Sequence, residues 1–437
     1  MSLIIDKTTT PTEQLKQMDI DLHMSIPIVS KSVKNYKPKI IELTPYRIQN
    51  NLVFIPMSYG IKKYNFKPMK HKTSSINYEF TGTLRPEQKI VRNEAIDILN
   101  KQNSVVISTH VGFGKSILAT YFMSKIQMKT LIIVNRLVLI NQWVEVLHKF
   151  IKDPKISIMK PNQIIDWDND FFIVNAINIA KFGYIPEIGL VVVDELHLIV
   201  SRVLSNCFQY LTPNYLIGLS ATPYRPDGLD VLINLYFGEE RIDRQLFKKH
   251  HVYVINTNFT PIINKNNNNS IDWNDILNQQ SKNEERNNLI INCILRENYN
   301  FLVLCKRVEH IKYIGNKLRE LDESKNINIQ CLYNESQPNT NVDETQKQVI
   351  IGTIQKIGTG FDFPCLNALI IAADIEEYFI QYLGRIFRKQ HECIPVVFDF
   401  VDNNSILQKH FKTRKKTYQK HGGTISIYST TLSKKDI

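Results

Sequence analysis

Residues 104–126 read SVVISTHVGFGKSILATYFMSKI. The β-favouring run SVVIST leads into a loop with glycines at 112 and 114, and the loop leads into SILATYFMSKI, which reads as a helix. Strand, glycine loop and helix form the context in which a loop ending G-K-[ST] cradles phosphate. Gly112 and Gly114 permit backbone angles closed to other residues, so main-chain N–H groups can turn toward phosphate oxygens. Lys115 would reach the β- and γ-phosphates, and Ser116 would offer its hydroxyl to Mg²⁺ at the start of the helix. The first position of the usual G-x-x-x-x-G-K-[ST] pattern is Thr109. On this stretch alone, a glycine turn into a core helix fits as well.

The rhythm of this stretch repeats outward. Short apolar runs alternate with helical stretches: TLIIVN (130–135), FFIVNA (171–176), LVVVD (190–194) and YLIGLSAT (215–222). Fully apolar strands between helices indicate a parallel sheet covered on both faces. This predicts one α/β domain over 79–250. An asparagine-rich stretch, INKNNNNSIDWN at 263–274, reads as an exposed loop, so 251–274 is taken as a polar linker region. The alternation resumes with NFLVLCK (300–306), NIQCLY (328–333), QVIIGT (348–353), ALIIA (368–372) and PVVFDF (395–400), which predicts a second α/β domain over 275–405. Residues 1–78 read as an N-terminal extension, loosely ordered to about 30, and a small basic module. Residues 406–437 read as a basic tail, helical at first.

The 437 residues exceed what one ordinary core serves. No stretch approaches the roughly 18 consecutive apolar residues of a membrane span, so no membrane association is expected. The N-terminus lacks the pattern of a signal peptide. Six cysteines, none within four residues of another, exclude zinc-type spacing and suggest free thiols. An intracellular, reducing compartment is the expectation, with cytoplasmic, nuclear and virion locations equally compatible.

The formal net charge is +12, which fits a polyanionic partner such as nucleic acid and fits generic basic solubility equally. The charge is concentrated. Residues 31–72 hold ten Lys/Arg against one acid, Glu42, and residues 409–420 hold six and no acid. Tyr36, Tyr46, Tyr59, Tyr64 and Phe66 interleave with the first cluster, a composition suited to phosphate contact and base stacking. Solvated faces have the same composition.

About 80 residues beyond the glycine loop, LVVVDELHLI places Asp194 at the end of an apolar strand, followed by Glu195, Leu196 and His197. An acid at that strand end is where Mg²⁺ would be held opposite the loop, and a second carboxylate can orient and deprotonate water. Taken alone, two acids ending a strand also describe a solvated turn.

Together these stretches resemble the superfamily 2 helicases and translocases. DELH resembles their DExH box, SATPYRPDG (220–228) their motif III and its sequel, and QYLGRIFR (381–388) their Q-x-x-G-R-x-x-R motif. LRPEQ (84–88), TLIIVNRLVLINQW (130–143), NFLVLCKRVEHI (300–311) and VIIGTIQKIGTGFDFP (349–364) resemble the adenine-contacting entry motif and motifs Ia, IV and V, in the proper order. LRPEQ followed by SATPYRPDG is similar to the XPB/UvsW-like DNA translocases and to the transcript-release helicases of poxviruses and related large DNA viruses.

The resemblance implies two tandem RecA-like P-loop domains and ATP hydrolysis with Mg²⁺. It implies that Gln88 bonds the adenine edge with Arg85 near the base, that Gly112, Gly114, Lys115, Ser116 and Asp194 hold the Mg²⁺-triphosphate, and that Glu195 is the general base. His197 and Gln381 would link the γ-phosphate region across the cleft between domains. Gly360 and Asp362 would line the nucleotide site. Arg385 and Arg388 would act as arginine fingers when the domains close, so that turnover advances a strand stepwise. Ser220 and Thr222 would couple the two events. Arg136, Asn175, Thr353 and Arg307 would touch the strand, mainly at phosphates.

Two positions depart from the family pattern. Motif V reads GTGFD where relatives often carry glutamate before the glycine, which leaves Thr359 without a role, and Tyr382 fills an often basic position in motif VI. DNA is the favoured substrate, in transcription, repair or recombination. The alternatives are a DExH RNA helicase and a non-catalytic binding factor that keeps the fold. The substrate class, polarity, pathway and protein partners are not written in these motifs.

Overall fold

A computed structural model describes residues 1–28, 39–68, 70–71, 78–221, 225, 227–266, 269–322, 326–334, 336, 338–339, 343, 345–358, 363, 365–375, 380–387 and 393–428. The chain divides into two compact units, Met1–Arg244 and Gln245–Ile437.

The first unit opens with β1 (Ser2–Asp6), a helix at Thr12–Leu22, β2 (Met24–Ile28), β3 (Lys39–Leu43), β4 (Arg47–Gln49), β5 (Leu52–Pro56) and a helix at Met57–Tyr64. β1, β5 and β4 form a three-stranded antiparallel sheet, and β2 pairs antiparallel with β3. The main sheet follows: β6 (Ser104–Thr109), β7 (Thr130–Val134), β8 (Ile156–Ile158), β9 (Phe171–Asn175), β10 (Leu190–Val193), β11 (Tyr215–Ser220) and β12 (Arg241–Arg244). These run parallel in the order β12-β6-β11-β10-β7-β9-β8. Side chains alternate between faces along each strand. Val106, Leu131, Ile133, Val191 and Val193 pack into one core layer, and Val105, Ile107, Ile132, Val134, Leu190 and Val192 into the other.

The second unit repeats the design with β13 (His250–Asn256), β14 (Phe301–Cys305), β15 (Ile327–Leu332), β16 (Lys347–Thr353), β17 (Ala368–Ile371), β18 (Val396–Val401) and β19 (Gly423–Ile427). All pair in parallel, in the order β15-β16-β14-β17-β18-β13-β19. Leu302 and Leu304 face one core layer, and Phe301, Val303 and Cys305 the other. Two parallel sheets, each covered on both faces, form the α/β architecture of tandem RecA-like domains.

Several sequence expectations are corrected. The first domain ends at Arg244 rather than 250, because β13 inserts between β18 and β19 of the second sheet. The region 251–274 therefore carries most of a strand and the start of a helix, Trp273–Lys282. The described part of the 406–437 tail belongs to the second unit: the helix Ser405–Lys420 packs on it and β19 joins its sheet.

Residues 1–78 are not a separate module. Met1, Leu3, Ile5, Val53, Ile55 and Met57 share one core with the first sheet, and Met1 is fully buried, so the described residues 1–28 are not a loose extension. Ser2 N donates to Leu211 O at 2.7 Å, and the Arg47 guanidinium lies 4.1 Å and 4.7 Å from the Phe54 and Tyr210 ring centroids. The described aromatics of this segment are engaged within the fold. Tyr46 and Tyr59 donate to Asp19 and Asp21, and Tyr64 stacks on Phe66, all four packed against the core. Tyr36 lies outside the described residues.

Candidate active site

The sheet order brings distant residues together. β6, β11 and β10 are neighbours, paired Ser108 with Ser220 and Gly218 with Val193. The loop after β6, the end of β11 and the acids after β10 therefore share one C-terminal sheet edge, where open α/β sheets place their ligands.

Gly112 and Gly114 have φ of 83° and 88°, in the region that favours glycine. A Cβ at Gly114 would stand 2.5 Å from Gln88 Nε2. Thr109, the residue in place of the first glycine, is fully buried, and its carbonyl accepts from Lys115 Nζ at 2.8 Å. Lys115 also donates to His110 O at 3.3 Å and opens the helix Lys115–Ile126, with Ser116 half-buried in its first turn.

Gln88 and Arg85 belong to the loop more than to a base. Gln88 is buried; its Oε1 accepts from Arg85 N at 2.8 Å and its Nε2 donates to Phe113 O at 2.9 Å. Arg85 Nη2 donates to Gly112 O at 3.2 Å and also to Phe113 O. Both polar atoms of the Gln88 amide are thus taken up by the capping box of the helix Pro86–Gln102 and by the glycine loop, where the sequence reading had Gln88 on an adenine edge.

Asp194 Oδ2 accepts from Trp143 Nε1 at 2.9 Å, and its Oδ1 accepts from Glu195 N at 3.0 Å. Burial, followed by the Glu195 charge, pushes its carboxyl up to about 6, and the Trp143 bond works the other way. Glu195 has φ 48°, a left-handed conformation that costs a non-glycine residue roughly 1–2 kcal/mol. Its Oε2 is buried with no hydrogen-bond partner among the described residues. Strain and an unsatisfied carboxylate oxygen thus coincide at one residue of the sheet edge.

His197 Nδ1 lies 3.0 Å from Ser220 Oγ and 3.6 Å from Glu195 Oε2. Burial, with Arg225 and Lys115 nearby, lowers its pKa to about 3, so the imidazole is neutral. Arg225 Nη1 donates to His197 O at 2.6 Å, and the rest of its guanidinium forks onto Asp227 at 2.9 and 2.6 Å. Trp143 and Arg225 are residues that sequence reasoning missed. Trp143 shares a helical stripe with Leu139, Ile140 and Leu147 and reads as core. Arg225 lay within a quoted motif, but its carbonyl contact has no local pattern.

The remaining positions divide. Arg136 precedes the helix Leu137–Phe150, half-exposed at the end of β7. Asn175 caps the short helix Ala176–Phe182 by accepting from Ile177 N, and Arg307 donates to Asn274 O and Oδ1 at 3.1 and 2.8 Å. Both side chains have the local structural partners of ordinary loop residues. Thr353 ends β16 and accepts from Lys356 N at 3.2 Å. Gln381 and Arg385 are buried in the second unit, and Arg385 Nη2 donates to Gly358 O at 2.8 Å. Tyr382, at the often basic position, donates to Ile354 O at 3.0 Å. Thr222, Gly360, Asp362 and Arg388 lie outside the described residues, as does Thr359. Among the described residues no helix is long and apolar enough to cross a membrane.

Comparison with known proteins follows the same lines. Residues 81–225 match the family described as type III restriction enzyme, res subunit. The chain is 40% identical to "Putative helicase 161L" of Invertebrate iridescent virus 6, over 94% of this chain and 98% of that protein. It is 26% identical to the transcript termination protein A18 of vaccinia virus (strain Ankara), over 76% of this chain and 73% of that protein. Its fold is similar to that of Saccharomyces cerevisiae Dbp5 bound to RNA and ADP BeF3, with a TM-score of 0.53, 14% identity, and 79% and 94% of the two chains covered. With the glycine loop, the acidic pair and the two parallel sheets in place, and with that identity running through nearly the whole of both chains, the protein belongs to the superfamily 2 helicases, ATP-hydrolysing enzymes that act on nucleic acid.

Proposed function

We propose that this enzyme hydrolyses Mg²⁺-ATP at the shared edge of β6, β10 and β11 and uses turnover to move along duplex DNA, in the release of transcripts. The observation that carries the ATP site is the Asp194–Glu195 pair, with Asp194 buried and Glu195 Oε2 unsatisfied among the described residues, on the sheet edge that also bears the glycine loop and Lys115. The donor set fits a Mg²⁺-triphosphate. Gly112 and Gly114 open the backbone to phosphate oxygens, and Lys115 exchanges two backbone carbonyls for the β- and γ-phosphates. Ser116 and Asp194 would hold Mg²⁺, which supplies charge neutralisation for phosphoryl transfer.

Glu195 orients the attacking water and takes its proton. Arg225 and Asp227 fix the DELH backbone, and His197 Nδ1 touches Ser220, so a shift at Glu195 reaches the end of β11. Arg385 and Arg388 keep the charge-stabilising role their motif implies, worth on the order of 10³–10⁵ in rate. Arg136 and Thr353 are assigned to strand phosphates.

DNA is supported by the likeness of LRPEQ and SATPYRPDG to DNA translocases, and transcript release by the similarity to the vaccinia transcript termination protein. The cysteines are free thiols, in keeping with a reducing intracellular compartment. ATP turnover measured with duplex DNA, single-stranded DNA and RNA tests the proposal. Duplex DNA is expected to stimulate most, and stimulation by RNA alone would sink the DNA assignment.

A further inference from the structure

The basic run at 409–420 forms most of the helix Ser405–Lys420. Leu407, His410, Arg414 and Tyr418 are buried on one side. Arg414 forks onto Asp399 at 2.9 and 2.8 Å and also donates to Asp374 at 3.1 Å. His410 Nδ1 lies 2.6 Å from Asp374, and Tyr418 donates to Asp399 at 2.9 Å. With β19 paired to β13 directly after it, the helix cannot roll.

The opposite side is a row of exposed lysines: Lys409, Lys412, Lys416 and Lys420. At 100° per residue they fall within an arc of about 80°, and at 1.5 Å per residue the row is about 16 Å long. None of the four is in an ion pair among the described residues, whereas Lys62, Lys63, Lys101 and Lys317 each have an acidic partner. No acid occurs anywhere in 405–420.

From this geometry we infer that the lysine row is a docking surface for the sugar–phosphate backbone of duplex DNA. This deepens the reading of the enzyme as a DNA-tracking ATPase and rests on it. Charge complementarity names a polyanion. The length matches the axial rise of roughly five phosphates of one strand, at about 3.4 Å each. Single-strand grooves place aromatic side chains among their cations so that bases can stack. The exposed residues that flank the row on this helix include Thr413 and Gln419, which offer no ring. A straight rank of cations without a stacking surface suits a rod whose bases are already paired.

The test is the salt dependence of binding by the full chain. The probes are a random-sequence DNA duplex, one of its single strands, and an RNA of the same sequence. In the variant Lys409→Gln/Lys412→Gln/Lys416→Gln/Lys420→Gln, the slope of log K against log salt on the duplex should become shallower by roughly 3–4, at about 0.9 per lost contact. Lys416→Gln alone should remove about 1. Thermal unfolding should match the parent, because all four side chains are exposed.

An unchanged duplex slope overturns the docking surface while leaving the ATPase reading intact. A change confined to the single strand or the RNA overturns the choice of duplex. A parent chain that binds none of the three probes overturns the functional reading and this surface together.

Discussion

The two units bury charge in opposite ways. In the second, most buried charges meet their opposites, although Arg286 Nη2 has no hydrogen-bond partner among the described residues. Arg414 is shared between Asp399 and Asp374, and Arg286 donates to Asp402 at 2.8 Å and to Ala372 O at 2.6 Å. Asp402 also accepts from Gln280 and Thr257, each at 2.6 Å. Burial would push the Asp374 carboxyl up, but His410 and Arg414 hold it below the ordinary range. In the first unit, Asp194 and Glu195 lie side by side, the Lys115 charge favours ionised Asp194 less than burial and Glu195 oppose it, and one Glu195 carboxylate oxygen has no hydrogen bond among the described residues. Buried charge satisfied from within holds a fold together. Buried charge left incomplete costs stability and persists where a ligand completes it.

The largest expected effect breaks the satisfied network. Arg414→Met leaves Asp399, fully buried, without its cation and Asp374 with His410 alone among the described residues. Removing one partner of a buried pair costs about 3–5 kcal/mol, and Asp399 bears that loss most directly. Denaturant unfolding of the full chain should show the second unit melting early. A loss under about 1 kcal/mol would mean that the network is ornamental.

The counterpart in the first unit separates activity from stability. Glu195→Gln should lower ATP turnover by about 10²–10⁴, or roughly 3–5 kcal/mol in the barrier, by removing the base. Its stability to unfolding should not fall below that of the parent, because Oε2 has no hydrogen bond to lose among the described residues and a charge beside Asp194 is removed. Turnover that survives would remove Glu195 from the chemistry.

The same contrast explains what could be read from the sequence. The central strands were legible because both their faces are buried and they run as apolar blocks, such as LVVV at β10 and FLVLC at β14. β8, β12 and β19 were not. They lie at sheet edges, and ISI, RIDR and GTISI carry too few apolar residues to announce a strand. Missing β13, with its opening HH, moved the domain boundary to 250.

The glycine loop and the acids were legible because phosphate and metal chemistry demand those residue types in short, contiguous runs. The groups that support them were not. Trp143 stands 51 residues from Asp194, and Arg225 stands 28 from the carbonyl it holds. Arg414 read as one more cation of a basic stretch, since nothing local says that Asp399 and Asp374 surround it. The basic runs at 31–72 and 409–420 looked alike in composition. In the first, the described aromatics are packed inward, and in the second the lysines face out.

The smallest expected effect follows the proton on the acidic pair. Burial places Asp194 at about 6, above the ordinary carboxylate value near 4. Between those values the folded chain holds a proton that the unfolded chain has released. By linkage, stability therefore falls as pH rises from about 4 to about 6, and the penalty is complete above that window. Two pKa units correspond to about 3 kcal/mol at most. In metal-free buffer, Asp194→Asn should flatten this step relative to the parent.

Trp143→Phe should move the step without abolishing it. The indole N–H bonds the charged carboxylate, so its loss lets the pKa climb further, and the midpoint of the parent-minus-Asn difference should shift upward by less than about one unit, near 1 kcal/mol. The smaller ring also lowers stability through lost packing, but that loss is the same at every pH. Only the midpoint tests the bond, and a midpoint that stays put would make Trp143 a core residue and nothing more.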